Sequence, residues 1–215
     1  TIQANSTVAF VGPSGSGKST TANIISSLLC PTSGEVLMGS SAYGTIDIGN
    51  LRENVGYVTQ ESVVFNASLE DNILLWKNAQ VDQGRLDEAI TNTGLDKVRR
   101  SHNSYEALGE SGTSLSGGER QRLSIARELY WKSELLILDE ATSSVDSLLE
   151  NQIDDVFRSQ QGKKTIIVIA HRLSTVRDAD IIYVFQNGKI AEFGSFDDLT
   201  QAGGLFSNMA KLQSF

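Results

Sequence analysis

The feature that most restricts this chain is "GPSGSGKST", Gly12–Thr20, set between the β-branched run "STVAFV" and the helical pattern of "KSTTANIISSLLC". It matches G-x-x-x-x-G-K-[ST] at Gly12, Gly17, Lys18 and Ser19, in the strand–loop–helix context that such a match needs. Glycines let successive backbone N–H groups turn inward around phosphate oxygens, and the helix that follows adds its positive end. Lys18 is a point charge for β- and γ-phosphates, and the Ser19 hydroxyl can bind Mg²⁺. The candidate phosphate site is therefore Gly12, Pro13, Ser14, Gly15, Ser16, Gly17, Lys18, Ser19 and Thr20. A chance match in an ordinary turn is the plainer alternative, and the flanking strand and helix argue against it.

Two other runs end in side chains that suit the same chemistry. "LLILDE" is an aliphatic strand that leaves Asp139 and Glu140 at its C-terminal end, the edge where open α/β sheets bind ligands. Vicinal carboxylates point in different directions and can take different work. Asp139 fits the Mg²⁺ shell, and Glu140 fits orienting and deprotonating an attacking water. Two acids at a helix start would also suit the helix dipole, which is the structural alternative. "TIIVIAH" is a further buried strand, and its end places His171 for a hydrogen bond to a γ-phosphate or attacking water. His102, in a polar stretch, reads as solvated.

"SGGE", Ser116–Glu119, raises a different question. It is a capping box, in which Ser116 caps the helix and Glu119 reaches back. Gly117 and Gly118 each cost roughly 1 kcal/mol against Ala in a helix. Nothing local offsets that, whereas bare backbone at a helix start lets an anion approach closely. The loop at Gly12 already surrounds its own phosphates. The ligand of "SGGE" should therefore belong to another chain.

The remaining texture is that of an α/β protein. Strand and helix alternate up to "NVGYVTQ", give way to helices and loops over about 61–133, and resume with "ELLILDE". Continuous aliphatic strands read as a parallel sheet covered on both faces. "SLLENQIDDVFRSQQG" reads as a helix, "IIYVFQNGKIAEFG" as a hairpin turning at Asn187-Gly188, and the tail as two short helices. The helix after the glycine loop is expected to run until near Pro31, with Cys30 packed at its buried end. Trp76, Trp131 and the apolar face of "NILLW" are expected in the core, with contact to a partner domain by part of that helix as the alternative.

Composition narrows the class. A net charge of −8 argues against nucleic acid as a partner, since phosphate neutralisation needs a basic face. A single cysteine excludes an internal disulfide and fits a reducing compartment. No apolar run reaches the ~18 residues of a membrane span. The chain opens on Thr1 rather than Met, so it is expected to be a piece of something longer.

Taken in order, "GPSGSGKST", Gln60 in "GYVTQE", "LSGGERQR", "LLILDE", "SSVD" and "AHR" resemble the nucleotide-binding domain of an ATP-binding cassette (ABC) transporter, over essentially the whole chain. "VVFNASLEDNI", "GESGTSLSGGERQRLSIAR" and "VIAHRLSTVRDADIIYVFQNGKIAEFGS" are most similar to exporter-type cassettes. The resemblance implies a P-loop NTPase fold. A RecA-like core with a mainly parallel sheet, about 1–60 and 134–215, would carry a partial antiparallel β subdomain and an inserted α-helical subdomain, about 61–133. It implies ATP and Mg²⁺ as cofactors, and ATP hydrolysis on the cytoplasmic face of a membrane. Partners would be the transmembrane domain of the same transporter and a second nucleotide-binding domain, forming a head-to-tail homo- or heterodimer.

Each ATP would then lie between one chain's loop at Gly12 and the other's Leu115–Glu119, with Ser116, Gly117, Gly118, Glu119 and Asp146 acting in trans. Ser19, Gln60 and Asp139 would serve Mg²⁺, and Lys18, Gln60, Glu140 and His171 catalysis. Segments near Phe65–Asn72 and Gly109–Gly112 would face the membrane partner.

The family's adenine-stacking aromatic and first antiparallel strands would precede Thr1, and "SSVD" stands where "SALD" is frequent. In exporters the cargo is selected by the membrane domain, so peptide, lipid, drug and glycolipid all stay open. Two other classes share parts of the pattern. Soluble DNA-repair ABC ATPases carry a long coiled coil between the loop and "LSGGE", where this chain has no sustained heptads. A purely regulatory nucleotide switch would not need Glu140 and His171.

Overall fold

The computed structural model describes residues 1–76, 80–101, 106–141, 153, 155–170 and 173–212, and the side chains of 173 and 174 are left aside. Of the expected helix over "SLLENQIDDVFRSQQG", residues 153 and 155–158 are helical, while 147–152 and 154 lie outside the described residues, as do His102, Asp146 and His171. The chain divides into two compact units. One comprises Thr1–Tyr57, Ser133–Glu140 and Gln161–Phe215, and the other Val58–Lys132 and Ala141–Gln160.

A sheet of six strands organises the first unit. Its order is β4 (Val55–Val58), β5 (Leu135–Asp139), β6 (Thr165–Ile169), β1 (Thr7–Val11), β7 (Ile181–Gln186) and β8 (Lys189–Gly194). β1 runs parallel to β6 and β7, and β5 runs parallel to β6. β1 and β4, successive in sequence among the strands of this sheet, are thus separated by two strands from much later in the chain.

All five residues of β1 are buried, and their alternation divides the core in two. Val8 and Phe10 pack with Ile137, Ile167 and Ala22, the last from helix α1 (Lys18–Ile25). Ala9 and Val11 pack with Ile182, Val184, Leu199 and Phe206. The last two come from α7 (Phe196–Gln201) and α8 (Leu205–Leu212). Each large side chain so buried contributes about 1.5–3 kcal/mol. With helices on both faces, the central strands β1, β5 and β6 can be mainly apolar. The antiparallel turn between β7 and β8 uses Asn187 and Gly188, both at positive φ (50° and 74°), which matches the twist of a tight hairpin.

Helix α1 stops earlier than Pro31 would dictate. Ser27 takes the left-handed conformation (φ 59°), its N–H donates to the Ile24 carbonyl, and the Leu28 N–H donates to that of Asn23. This is a Schellman turn built on serine rather than glycine. Arg52, in α2 (Ile48–Glu53), steadies it by donating to the Ser27 carbonyl and hydroxyl. The expectation that Cys30 is buried at a helix end is therefore wrong: it lies beyond the helix and is exposed. Leu28 and Leu29 are exposed with it. "GEVLMG" yields only β2 (Leu37–Met38), paired antiparallel with β3 (Ser41–Ala42).

In the second unit the described helices include α3 (Leu69–Leu74), α4 (Gln83–Asn92), α5 (Asp96–Ser101) and α6 (Gly117–Trp131). They enclose a separate core that includes Ile73, Leu86, Ile90, Leu95, Leu108 and Leu123. α3 is capped by Ser68, whose hydroxyl accepts from the Asp71 N–H. Trp131 packs against this core and donates from Nε1 to the Ile73 carbonyl. Trp76 does not join the core. Leu75 and Trp76 both turn left-handed after α3, which carries the indole outward to 54% exposure.

Candidate nucleotide site

Strand β1 delivers the chain into its loop at Gly12, whose φ of 144° suits glycine alone. A Cβ there would collide with the Phe185 carbonyl oxygen of β7. The loop closes through Ser16 N–H to the Pro13 carbonyl (3.2 Å) and is tied to the β7–β8 turn by Gly188 N–H to the Ser16 carbonyl (3.0 Å). Gly17, at φ 105°, starts α1 and gives it no side-chain cap. The first N–H groups of α1 therefore rely on a partner outside the helix.

Lys18 is 5% exposed, and its ammonium donates back to the carbonyls of Gly12 (2.8 Å) and Pro13 (3.0 Å). Burial pushes its pKa below the usual lysine range, while the charges of Glu140 and Asp139 pull it back up. The structure thus brings Lys18, Asp139 and Glu140 into one electrostatic neighbourhood at the C-terminal edge of the sheet. The hydroxyl of Ser16 is buried in the loop and has no hydrogen-bond partner among the described residues. Ser19 and Thr20, at the head of α1, are exposed. An orphaned donor, a buried cation and left-handed glycines fit a phosphate chain.

Asp139 ends β5, 9% exposed, and accepts a long hydrogen bond (3.4 Å) from the Tyr57 hydroxyl on β4. Burial, then the Asp139 charge and hydrogen bond, push the Tyr57 phenol well above its ordinary pKa, so it stays a donor. Glu140 is a left-handed non-glycine residue (φ 52°), anchored by its N–H on the Ile169 carbonyl (3.1 Å). A conformation of this kind costs on the order of 1 kcal/mol and collects at functional sites. Neither Tyr57 nor this kink is visible in the sequence. Tyr57 could have been found only from the strand order, which sets β4 beside β5. Among the described residues no group of three or more His, Cys, Asp or Glu gathers to hold a metal. Of the residues expected to serve Mg²⁺, Ser19 and Asp139 lie in the first unit.

Gln60 is exposed just after β4, in the second unit. The same unit holds the "SGGE" turn. Ser116 caps α6 by accepting from the Glu119 N–H (3.3 Å), and Glu119 accepts from the Ser116 N–H and hydroxyl (both 2.8 Å). This is a complete capping box. Ser116 and Gly117 are exposed and Gly118 is half-buried, so backbone N–H groups are presented at a helix start. Ser114 and Leu115 are tied into the preceding loop through the Leu108 and Gly112 carbonyls.

Loop, sheet edge and acids together define a P-loop NTP hydrolase. The ABC transporter family model matches residues 1–143. The chain is 38% identical, over 99% of its length, to the ATP-dependent lipid A-core flippase of Cupriavidus pinatubonensis, spanning 37% of that protein. It is likewise 38% identical to the β-(1→2)glucan export ATP-binding/permease protein NdvA of Agrobacterium fabrum, with 98% of this chain and 36% of that protein covered. A solved structure of a bacterial Atm1-family ABC exporter with ATP bound superposes with a TM-score of 0.92 at 37% identity, over all of this chain and 38% of that one. The chain belongs to the ABC transporter family and forms its ATP-binding, ATP-hydrolysing domain, with the RecA-like mixed sheet and helical insertions of that fold. It spans well under half the length of these relatives.

Proposed function

We propose that this domain drives export or flipping of a substrate by a membrane transporter, on the cytoplasmic face, by closing head-to-tail on a second nucleotide-binding domain around ATP. The carrying observation is that two anion-ready backbone turns sit in different units: the Gly12–Lys18 loop in one and the Ser116–Glu119 turn in the other. The first can surround a phosphate chain alone. The second presents bare backbone at a capped helix start, which suits the γ-phosphate of an ATP held by a partner. Relatives named as a flippase and an export protein support the transport reading.

Within this reading Lys18 neutralises the β- and γ-phosphates, and Ser16 offers them its hydroxyl. Ser19, Asp139 and Gln60 hold Mg²⁺, which would offset charge on the phosphates. Glu140 orients and deprotonates the attacking water, His171 makes a hydrogen bond to the γ-phosphate or that water, and Asp146 crosses the dimer interface. Among the described residues no helix is long and apolar enough to cross a membrane. Exposed Val63, Phe65 and Trp76 and the Gly109–Gly112 turn supply the docking surface for that partner.

A charge-assisted hydrogen bond contributes about 1.5–3 kcal/mol. Losing one at each of two sites on hydrolysis would weaken the closed dimer by about 10²–10⁴. Light scattering on Glu140→Gln tests this directly. A dimer with ATP and Mg²⁺ and a monomer with ADP is the expected result. Equal self-association in both nucleotides would overturn it.

A further inference from the structure

Arg127, on α6, is 8% exposed, and none of the ion pairs among the described residues involves it. Among the described residues its guanidinium donates only to neutral acceptors: Nε to the Asn72 carbonyl (2.7 Å), Nη1 to the Val63 carbonyl (2.6 Å) and Nη2 to Asn72 Oδ1 (2.9 Å). Burial lowers its pKa to about 10, with Glu128 pulling the other way. A cation buried among carbonyls is an expensive way to fill a core, and a methionine would occupy similar space at less cost. What the planar fork provides is simultaneous grip on two separate stretches of chain.

Asn72 extends that grip. It is fully buried, and its Oδ1 accepts from the Phe65 N–H (2.8 Å) as well as from Arg127. Its Nδ2 lies within hydrogen-bond distance of the carbonyls of Phe65 (3.0 Å), Ala67 (3.2 Å) and Ser68 (3.0 Å). The whole 63–68 stretch, free of regular secondary structure, is thereby fastened to α6. On its outer side Phe65 stacks edge-on against Trp76 at 5.3 Å, and the Arg127 guanidinium lies 5.7 Å beneath the Phe65 ring. Phe65 and Trp76 are 42% and 54% exposed. The guanidinium is therefore the floor of an exposed aromatic patch. The same helix, unbroken from Gly117 to Trp131, begins at the Ser116 capping box. From Gly117 to Arg127 it spans about 15 Å.

We propose that Arg127 is a positioning residue that links the Phe65–Trp76 patch to the Ser116–Glu119 turn, so that a partner seated on the patch sets the position of the turn. The inference rests on the docking surface proposed above. A rigid helix gripped at one end by a surface loop and ending in a ligand turn can pass displacement without touching nucleotide. Arg127 therefore acts on turnover, not on ATP affinity.

The test is a double-mutant cycle in the full-length transporter, reconstituted in nanodiscs and read as kcat and KM for ATP. Trp76→Ala and Arg127→Lys, which keeps the charge and loses the fork, are each expected to lower kcat about tenfold with KM unchanged. The double variant is expected to be no worse than either single one, because both cut the same link. If Trp76→Ala leaves kcat unchanged, the docking surface itself is misplaced and the link falls with it. If Trp76→Ala lowers kcat but Arg127→Lys does not, or the two effects multiply, the docking surface stands and the link is overturned. A rise in KM with Arg127→Lys overturns it as well. Should Arg127→Lys fail to fold, Asn72→Asp takes its place with the same expectation. It keeps the acceptors facing Arg127 and removes the amide donors that hold residues 65–68.

Discussion

Helices α1 and α6 both begin in glycine, yet they solve the problem of their first N–H groups in opposite ways. α1 starts at Gly17, without a side-chain cap, behind a loop with a buried lysine and an unpartnered Ser16 hydroxyl. α6 starts at Ser116 with both bonds of its capping box made. The first start is unfinished by itself, because the groups that should complete it are those of a ligand. The second is finished as a fold element and still shows bare backbone outward. The difference teaches that a site can be primary, built at the expense of local satisfaction, or accessory, laid over a helix start that is already stable.

Replacing Lys18 by Ala is the strongest attempt to break this contrast. It removes the cation aimed at the phosphates and leaves the Gly12 and Pro13 carbonyls without their donor. Hydrolysis at saturating Mg-ATP is expected to fall about 10²–10³-fold, in line with deletion of a preorganised charge stabiliser. Phosphate release by the same preparation measures it. Retained turnover would mean that the α1 start is not the primary site.

The next effect sharpens the contrast from the other side. Gly118→Asp puts a carboxylate at the α6 start, where it favours the helix dipole and repels an incoming phosphate. ATP affinity of the monomer is expected to stay unchanged, while ATP-driven dimerisation of the Glu140→Gln chain weakens about tenfold to a hundredfold. Equilibrium nucleotide binding and light scattering read the two arms. If monomer affinity fell as well, the two helix starts would serve one phosphate chain within one molecule.

How much of this was legible in the sequence depends on whether the governing contacts are local. The loop, the capping box, the Asn187-Gly188 hairpin and the aliphatic strands are local patterns, and β1, β5, β6 and α6 lie where those patterns put them. The parallel α/β class follows from the same runs. The stop of α1 was not legible. Proline is a loud signal, but Ser27 in a left-handed turn, held by Arg52, ends the helix first. Trp76 was misread for a similar reason, since two consecutive left-handed residues after α3 carry an otherwise core-like indole outward. At the site, Lys18, Asp139 and Glu140 were named from motifs. The Tyr57 hydroxyl on Asp139 and the left-handed Glu140 depend on strand order and backbone conformation, which no local pattern encodes.

The smallest effect separates capping from ligand binding at Ser116. As a cap alone, Ser116→Ala costs about 1 kcal/mol, or about 2–4 °C in Tm for a chain of this size. Ser116→Gly costs only a few tenths of a kcal/mol, because glycine tolerates the cap geometry and leaves the N–H groups open to water. Calorimetry on both variants sets that scale. The two substitutions differ in stability but remove the same hydroxyl. If the hydroxyl only caps, ATP-driven dimerisation tracks Tm, and Ser116→Gly dimerises like the unchanged chain. If it also meets the partner's phosphate, both variants lose dimerisation alike, about tenfold. The accessory reading of the α6 start requires the second pattern: a residue whose fold role glycine can nearly replace and whose ligand role it cannot.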